Sequence, residues 1–571
     1  MMIKRLISAL LVVLLYIPTL GSVSTSTIYA GSTVRAEYSQ HDVYINDSRV
    51  YLRGFNILNN NYYGLRDIAK AFSGTSSQFN VVWNQQKNAI EILTGQSYNT
   101  EDQDDMGYFS NYNAVLSTSK LLINGKPVHI KAYTVNNRNY FQLRDLASKI
   151  PFELQYDAKK NNIQLYSVVP DHAYRVKLKG EQSNNHNLES PLFPRWKETV
   201  TSYLVNNSDG TISAINAGEK LKIETYNGKF EPISSKTIAY ELPIFGGYYS
   251  GNTYNYIAFG QTNHEENDNK EVIRIVRYDK NFKRVDSVSI KGGKAYTVIP
   301  FDAAAGRMAE QGDTLVFHTS RERYMTEDGL NHQSQLTIMI NTNSMTVMND
   351  LGKFQSNHVS HSFDQYVLFD GTSHVLVDHG DAYPRTIALQ KGDGTRYDMA
   401  SMFDIPGATG ANATGVSIGG FEISANNYIV ALNTIDHSLV KQYTSFELVG
   451  LKEDQRDIML SVLPKNSSDN GTAQHITLAK YVGTKHIASI PKLVKITDDK
   501  FMVLWQEFDK TSYQIGDLKY VYVNGNGQIV GSIKTIKHFE LSECNPIVAG
   551  NNVIWFTNNS RSRMFYRIPV Q

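Results

Sequence analysis

The sequence predicts a mainly β protein in which two small α+β modules precede a β-propeller of about seven blades. Three observations carry that prediction. One pattern is written from Val43 to Phe72 and again from Leu121 to Ile150. From Phe193 to Gln571 short strand-like runs and turns recur in groups, and that stretch holds no long 3.6-residue periodicity. At 571 residues the chain is too long for a single hydrophobic core, so two or three structural units are expected.

Residues 1–30 read as a signal peptide, with Lys4 and Arg5 as the basic start, Leu6 to Leu15 as the apolar run and Ile28-Tyr29-Ala30 as the cleavage site. The protein is therefore expected to be secreted or extracellular, with any cell-wall association non-covalent. The apolar run is short for a spanning helix, and no later segment supplies the ~20 apolar residues a bilayer requires, so no transmembrane anchor is expected after cleavage. An uncleaved anchor is the alternative, because Ile28 fits the cleavage pattern poorly. No Cys follows the apolar run to take a lipid, and the terminal YRIPVQ carries no sorting motif. Cys544 is the only cysteine, which excludes an intramolecular disulfide. With 56 Lys and Arg against 55 Asp and Glu, the formal charge of +1 gives no field for nucleic acid, and no nucleic-acid partner is expected.

The two copies of the repeat match at a constant offset of 78 positions: Ile45 with Ile123, Val50 with Val128, Phe55 with Tyr133, Tyr62 with Tyr140, and Leu65-Arg66-Asp67 with Leu143-Arg144-Asp145. Each begins as two strands about a polar turn, Asn46-Asp47-Ser48 or Asn124-Gly125, the latter a hairpin signal because both residues tolerate positive φ. Leu65, Ile68, Ala69 and Phe72 then fall at helical spacing, as do Leu143, Leu146, Ala147 and Ile150, before Pro151. Phe79 to Leu93 answers Phe152 to Tyr166 as a second hairpin expected to close each module. A shared offset means one module used twice, which points to an architectural or attachment role, since a catalytic centre is rarely built in duplicate over so short a stretch.

These residues resemble the copper amine oxidase N-terminal-like domain, a stalk module common in secreted proteins of Gram-positive bacteria. The likeness lies in the Asn-Gly-Lys-like turn, the aromatic at Phe55 or Tyr133, and NYYGLRDIA or NYFQLRDLA. It implies an accessory domain in an exported bacterial protein and no amine oxidase activity. A copper amine oxidase also needs a tyrosine in an Asn-Tyr-acid-Tyr context and a His-x-His pair. The nearest strings, Tyr254-Asn255-Tyr256-Ile257 and His358 with His361, supply neither. Arg66-Asp67 and Arg144-Asp145 have two readings, pairing with the neighbouring hairpin or direct ligand contact.

The modules are placed at residues 42–95 and 121–168, joined by a polar connector at 96–120 and followed by a linker at 169–192. The connector's acidic run, Glu101, Asp102, Asp104 and Asp105, lacks the ligand alternation and central glycine of a calcium loop. In the propeller, 193–571, Tyr254 to Gln261, Glu271 to Asp279 and Arg284 to Ile290 form one meander, and similar groups follow to the strand near Met564 to Ile568, placed to close a ring. Six or eight blades, a sandwich pair or a β-helix are the rival arrangements.

One region departs from plain strand sequence. His318, Arg321, Arg323, His332, His358, His361, Asp378, His379, Asp381 and Arg385 crowd into about two blades, where propeller loops would converge on one face. The first reading is structural, with Asp and His fixing loop corners. The second is a ligand pocket in which Arg321, Arg323 or Arg385 holds an anionic or sugar group. Metal ligation by His358, His361 and Asp378 or Asp381 matches no established zinc spacing, so neither a metal nor a cofactor is expected. Gly415 to Gly419 spells Gly-x-Ser-x-Gly around Ser417, but the flanks lack the strand-then-helix of a nucleophile elbow. The expected function is a secreted or cell-surface binding or structural protein without catalysis, in which the stalk modules attach or space a propeller that binds a cell-envelope polymer, glycan or protein. The alternative is an extracellular propeller enzyme acting on carbohydrate or a related polymer.

Overall fold

The computed structural model describes residues 33–570 except 46–47, 76, 100–110, 158–160, 168–173, 178–185, 468–469 and 559–562. The export segment, the acidic run and part of the linker lie outside the described residues. The chain is mainly β and divides into two compact units, residues 1–168 and 169–571.

The first unit is built by exchange between the two copies. A closed barrel runs through strands Thr33–Tyr38, Gly54–Ile57, Asn60–Gly64, Arg138–Phe141, Ala132–Val135 and Tyr112–Leu116. Where the copies meet, Arg35 pairs with Asn113 and Tyr63 with Phe141, each residue facing its own counterpart 78 positions on, so a pseudo-twofold axis passes through both seams. The barrel interior repeats the symmetry: Phe55 meets Tyr140 edge-on and Tyr62 meets Tyr133 edge-on, both at 5.1 Å between ring centres.

The second hairpins do not close their own modules. Ala89–Thr94 of the first copy pairs in parallel with Lys120–Ile123 of the second, and Asn162–Ser167 of the second pairs in parallel with Asp42–Ile45 of the first. Sequence alternation marks which residues face the core but not which of two near-identical edges a strand will join. Helices Leu65–Phe72 and Leu143–Ala147 cover these sheets, the first burying Leu65, Ile68, Ala69 and Phe72 against Leu146, Ile150 and Phe152 of the other copy. The connector also requires correction, because Tyr112–Leu116 is a barrel strand within it.

The second unit is a β-propeller. Its first sheet takes Ser202–Asn206 to Pro232–Ile238, the second Ile244–Ser250 to Arg284–Lys291, the third Thr297–Pro300 to Thr346–Val347 and the fourth Ser362–Asp370 to Tyr397–Asp404. The fifth spans Val416–Ile423 to Gln474–Ala479 and the sixth His486–Ala488 to Ile529–Ile536. The last sheet joins Ile547–Ala549, Asn552–Asn558 and Arg563–Pro569 to Tyr174–Lys177. Ile244–Ser250 lies against Arg307–Gln311, which lies against Ser362–Asp370; Val416–Ile423, Lys492–Thr497 and Ile547–Ala549 follow in turn, and Ile547–Ala549 returns to Ser202–Asn206. The apolar core is layered between neighbouring sheets, as with Ile215, Ile257 and Phe259, then Ile275, Phe317 and Ile338.

Tyr174–Lys177 corrects the linker, since it pairs Tyr174 with Arg567 through Lys177 with Met564. Asn187 and Glu189 are also tied in, their backbone N–H groups donating to the carbonyls of Asn558 at 3.1 Å and Leu541 at 3.0 Å. Strand order is non-local here, and a four-residue strand inside a polar stretch carries too little alternation to read. Near the ring centre glycines permit close backbone approach: a Cβ on Gly306 would lie 1.9 Å from the Gly246 carbonyl oxygen, and one on Gly419 2.0 Å from that of Pro491. Gly419 therefore marks a packing contact between the fifth and sixth sheets, and Ser417, on the strand Val416–Ile423, accepts a hydrogen bond from Arg456 at 2.7 Å.

Candidate functional site

The polar cluster lies largely on strands rather than loops. His318, Arg321 and Arg323 belong to the twelve-residue strand Thr314–Met325, His332 to Asn331–Asn341, and Asp378, His379 and Asp381 to Ser373–Asp381. Arg385 opens the next strand, while His358 and His361 precede Ser362–Asp370. The loops first expected to carry these groups are the continuation of long strands, because polar residues on a strand between two sheets are indistinguishable by composition from a loop.

Five subsets result, with His332 apart from them. His318 Nε2 and Asp378 Oδ2 are 3.0 Å apart, both wholly buried; Thr337 Oγ1 lies 3.0 Å from His318 Nδ1, and the Ser362 hydroxyl donates to Asp378 at 2.6 Å. His361 Nδ1 lies 3.0 Å from Asp381 Oδ1, whose second oxygen accepts from Asn412 at 2.7 Å. His379 is buried, with its Nε2 3.0 Å from Thr414 Oγ1, and burial lowers its pKa to about 4. Arg385 donates to the carbonyls of Pro406, Asp381 and Ala411, fixing the loop that follows its sheet. His332 stands apart from these, 2.7 Å from Asp328 on an exposed turn, with its ring 6.2 Å from that of His361.

The fifth subset is under-satisfied. Arg321 and Arg323 point to the same side of their strand, beneath the segment Gly352 to Gln355. Arg321 reaches the Gly352 carbonyl at 3.1 Å, and the Arg323 guanidinium lies 4.5 Å from the centre of the Phe354 ring, which is itself exposed. Among the described residues the Nε and Nη1 atoms of both arginines are buried without a hydrogen-bond partner. Burial, with Arg323 alongside, lowers the Arg321 pKa to about 9; burial, then Arg323 and Arg321, lowers that of His358 to about 4. Among the described residues no group of three or more His, Cys, Asp or Glu is placed to hold a metal ion.

A surface feature went unnoticed in the sequence. The stretch from Asn187 to Val200 crosses the ring: Glu189 bonds Leu541, and the Lys197 N–H donates to the Phe363 carbonyl at 3.0 Å. There the Arg195 guanidinium stands 4.8 Å from the ring centre of Trp196 and 5.5 Å from that of Phe446, with the two rings 50% and 84% exposed. Phe446 is some 250 residues from Arg195, so only the fold brings them together. The isolated signal was an Arg-Trp pair after a proline, Pro194, which by itself means little.

No protein-family model matches the chain, and no curated protein matches it. Among solved structures, it is similar to the N-terminal domain of Nup159 at 9% identity, covering 68% of this chain and 97% of that one with a TM-score of 0.34. It is similar to BBS1N, crystallised in complex with ARL6DN, at 9% identity, with 68% and 98% coverage and a TM-score of 0.37. BamB from Moraxella catarrhalis gives 11% identity, 68% and 99% coverage and a TM-score of 0.33. The propeller assignment rests on the sheet order described above. Among the described residues no helix is long and apolar enough to cross a membrane.

Proposed function

We propose that this is a secreted or cell-surface binding protein without catalysis, in which the stalk-like N-terminal unit attaches to the cell envelope and a seven-bladed propeller binds a protein partner. The observation that carries the propeller's role is the exposed Trp196–Arg195–Phe446 arrangement. Aromatic and arginine side chains dominate binding energy at protein interfaces, and here they stand on a ring whose nearby His and Asp groups are engaged in internal bonds. The seven sheets of four or five strands among that unit's described residues support the blade count. The attachment role is supported by the duplicated module and by the likeness to stalk domains given by NYYGLRDIA and NYFQLRDLA.

Sedimentation of the full-length protein with a purified cell-envelope preparation tests the attachment, with release of soluble sugar or peptide followed in the same tubes. The expected result is co-sedimentation with no release. Single substitutions of Asp378, His379, Asp381 and Arg385 are expected to reduce folded yield; a well-folded variant lacking a turnover that the parent shows would establish the enzyme reading instead.

A further inference from the structure

The N-terminal unit carries two clefts whose walls correspond under the internal duplication. One, of about 240 Å³, is lined by Arg66 at the start of the first helix, by Trp83 and Ile90 of the hairpin that follows, and by Asn137 and Asn139 on a turn of the second copy. The other, of about 320 Å³, is lined by Arg144 at the start of the second helix, by Tyr156 and Ile163, and by Asn59 and Asn61 on a turn of the first copy. Each of these residues has its counterpart in the other cleft, and the two arginines and both pairs of asparagines are identical; Asp67 lines the first cleft as well.

The match extends to geometry. Trp83 stands directly across its hairpin from Ile90, as Tyr156 does from Ile163. Both rings are turned outward, 54% and 56% exposed. Leu58 and Asn59 share positive φ with Asn136 and Asn137, so the two turns offer their amides from the same backbone form. Each cleft is completed only by the partner copy, a consequence of the strand exchange. A core requirement explains matched buried positions but not a matched outward aromatic, arginine and amide set.

We propose that these clefts are twin subsites for an acidic glycan, each stacking a sugar ring on its aromatic side chain and holding an anionic group with its arginine. The proposal rests on the attachment reading of the N-terminal unit and names its ligand. An exposed indole or phenol face is electron-rich and receives the C–H face of a sugar ring. Asparagine amides both donate and accept, as hydroxyl groups require, and a guanidinium fork matches a carboxylate or phosphodiester. Clefts this small take a ring or two rather than a folded surface. Two equivalent sites on one chain suit a ligand that repeats, because the second contact is then intramolecular and raises avidity by a factor on the order of 10² to 10⁴.

The test uses the full-length protein with the protein-free polysaccharide fraction of the cell envelope, both as polymer and as short fragments. W83A and Y156A should each weaken polymer binding at least tenfold while short fragments still bind the remaining site, and the double variant should bind neither. Because both rings are exposed, melting temperatures are expected to stay near the parent's, and R66K with R144K supplies a second pair that keeps charge but loses the fork. Carboxyl reduction and phosphodiester cleavage of the polysaccharide identify the anionic group, and unchanged binding after both would overturn its acidic character. A double variant that binds polymer as the parent does, or binding of unfolded polypeptide in place of polysaccharide, overturns the proposal. If that double variant still sediments with whole envelope, the clefts are refuted and attachment stands; if the parent does not sediment, both fall.

Discussion

At Arg321 a guanidinium is held in the propeller interior by contacts to two backbone carbonyls, and among the described residues no carboxylate is bonded to it. Replacing a buried charge by an apolar side chain of similar length is often neutral or stabilising, by about 1–4 kcal/mol in well-packed cases. R321M is therefore expected to leave urea-denaturation stability unchanged or raised, and a loss above ~2 kcal/mol would show that the cation is needed for folding. The opposite holds at Asp378, whose removal strands the His318 imidazole and the Ser362 hydroxyl in the dry interior. D378A is expected to cost about 2–5 kcal/mol in the same assay. The sequence displayed both groups as one polar crowd. It could not separate them, because whether a side chain finds its partner depends on residues such as Ser362 and Thr337 brought in from neighbouring strands.

Elements met expectation where the signal was local. The helix at Leu65–Phe72 buries the four residues its spacing selected, and Asn124 and Gly125 take the positive φ their turn requires. Pairing between distant edges was not legible: the hairpin exchange of the first unit and the strand Tyr174–Lys177 depend on which edge is free in the fold. The close approach of Gly306 to Gly246 belongs to this scale, since it sets how near the second and third sheets can come. G306A also imposes a side chain at φ 66, and is expected to lower stability by roughly 2–4 kcal/mol, read as a fall in thermal midpoint. An unchanged midpoint would mean the sheets can part at no cost.

For the molecule as a whole, acid sensitivity follows from its interior histidines. Burial lowers the pKa values of His358, His374, His379 and His437 to about 4 from 6.5. Because the folded values lie below the unfolded one, the unfolded chain takes up protons first as pH falls. Stability from these groups is full above about 6.5 and declines toward about 4. One such histidine contributes about 3 kcal/mol over that window, so H379Q should flatten the fall in thermal midpoint between these pH values while leaving any loss at lower pH. A parallel decline in parent and variant would refute the assignment.

The last sheet gives the chain an order of events in time. Tyr174–Lys177 is made about 390 positions before its partner Arg563–Pro569. At ribosomal rates of about 5–20 residues per second the early strand waits some 20–80 s for its mate. Through that interval it is a bare edge, open to pairing with another chain. Completion of the ring therefore waits on synthesis of the strand Arg563–Pro569, and a chain truncated before Arg563 would carry its unfinished edge permanently.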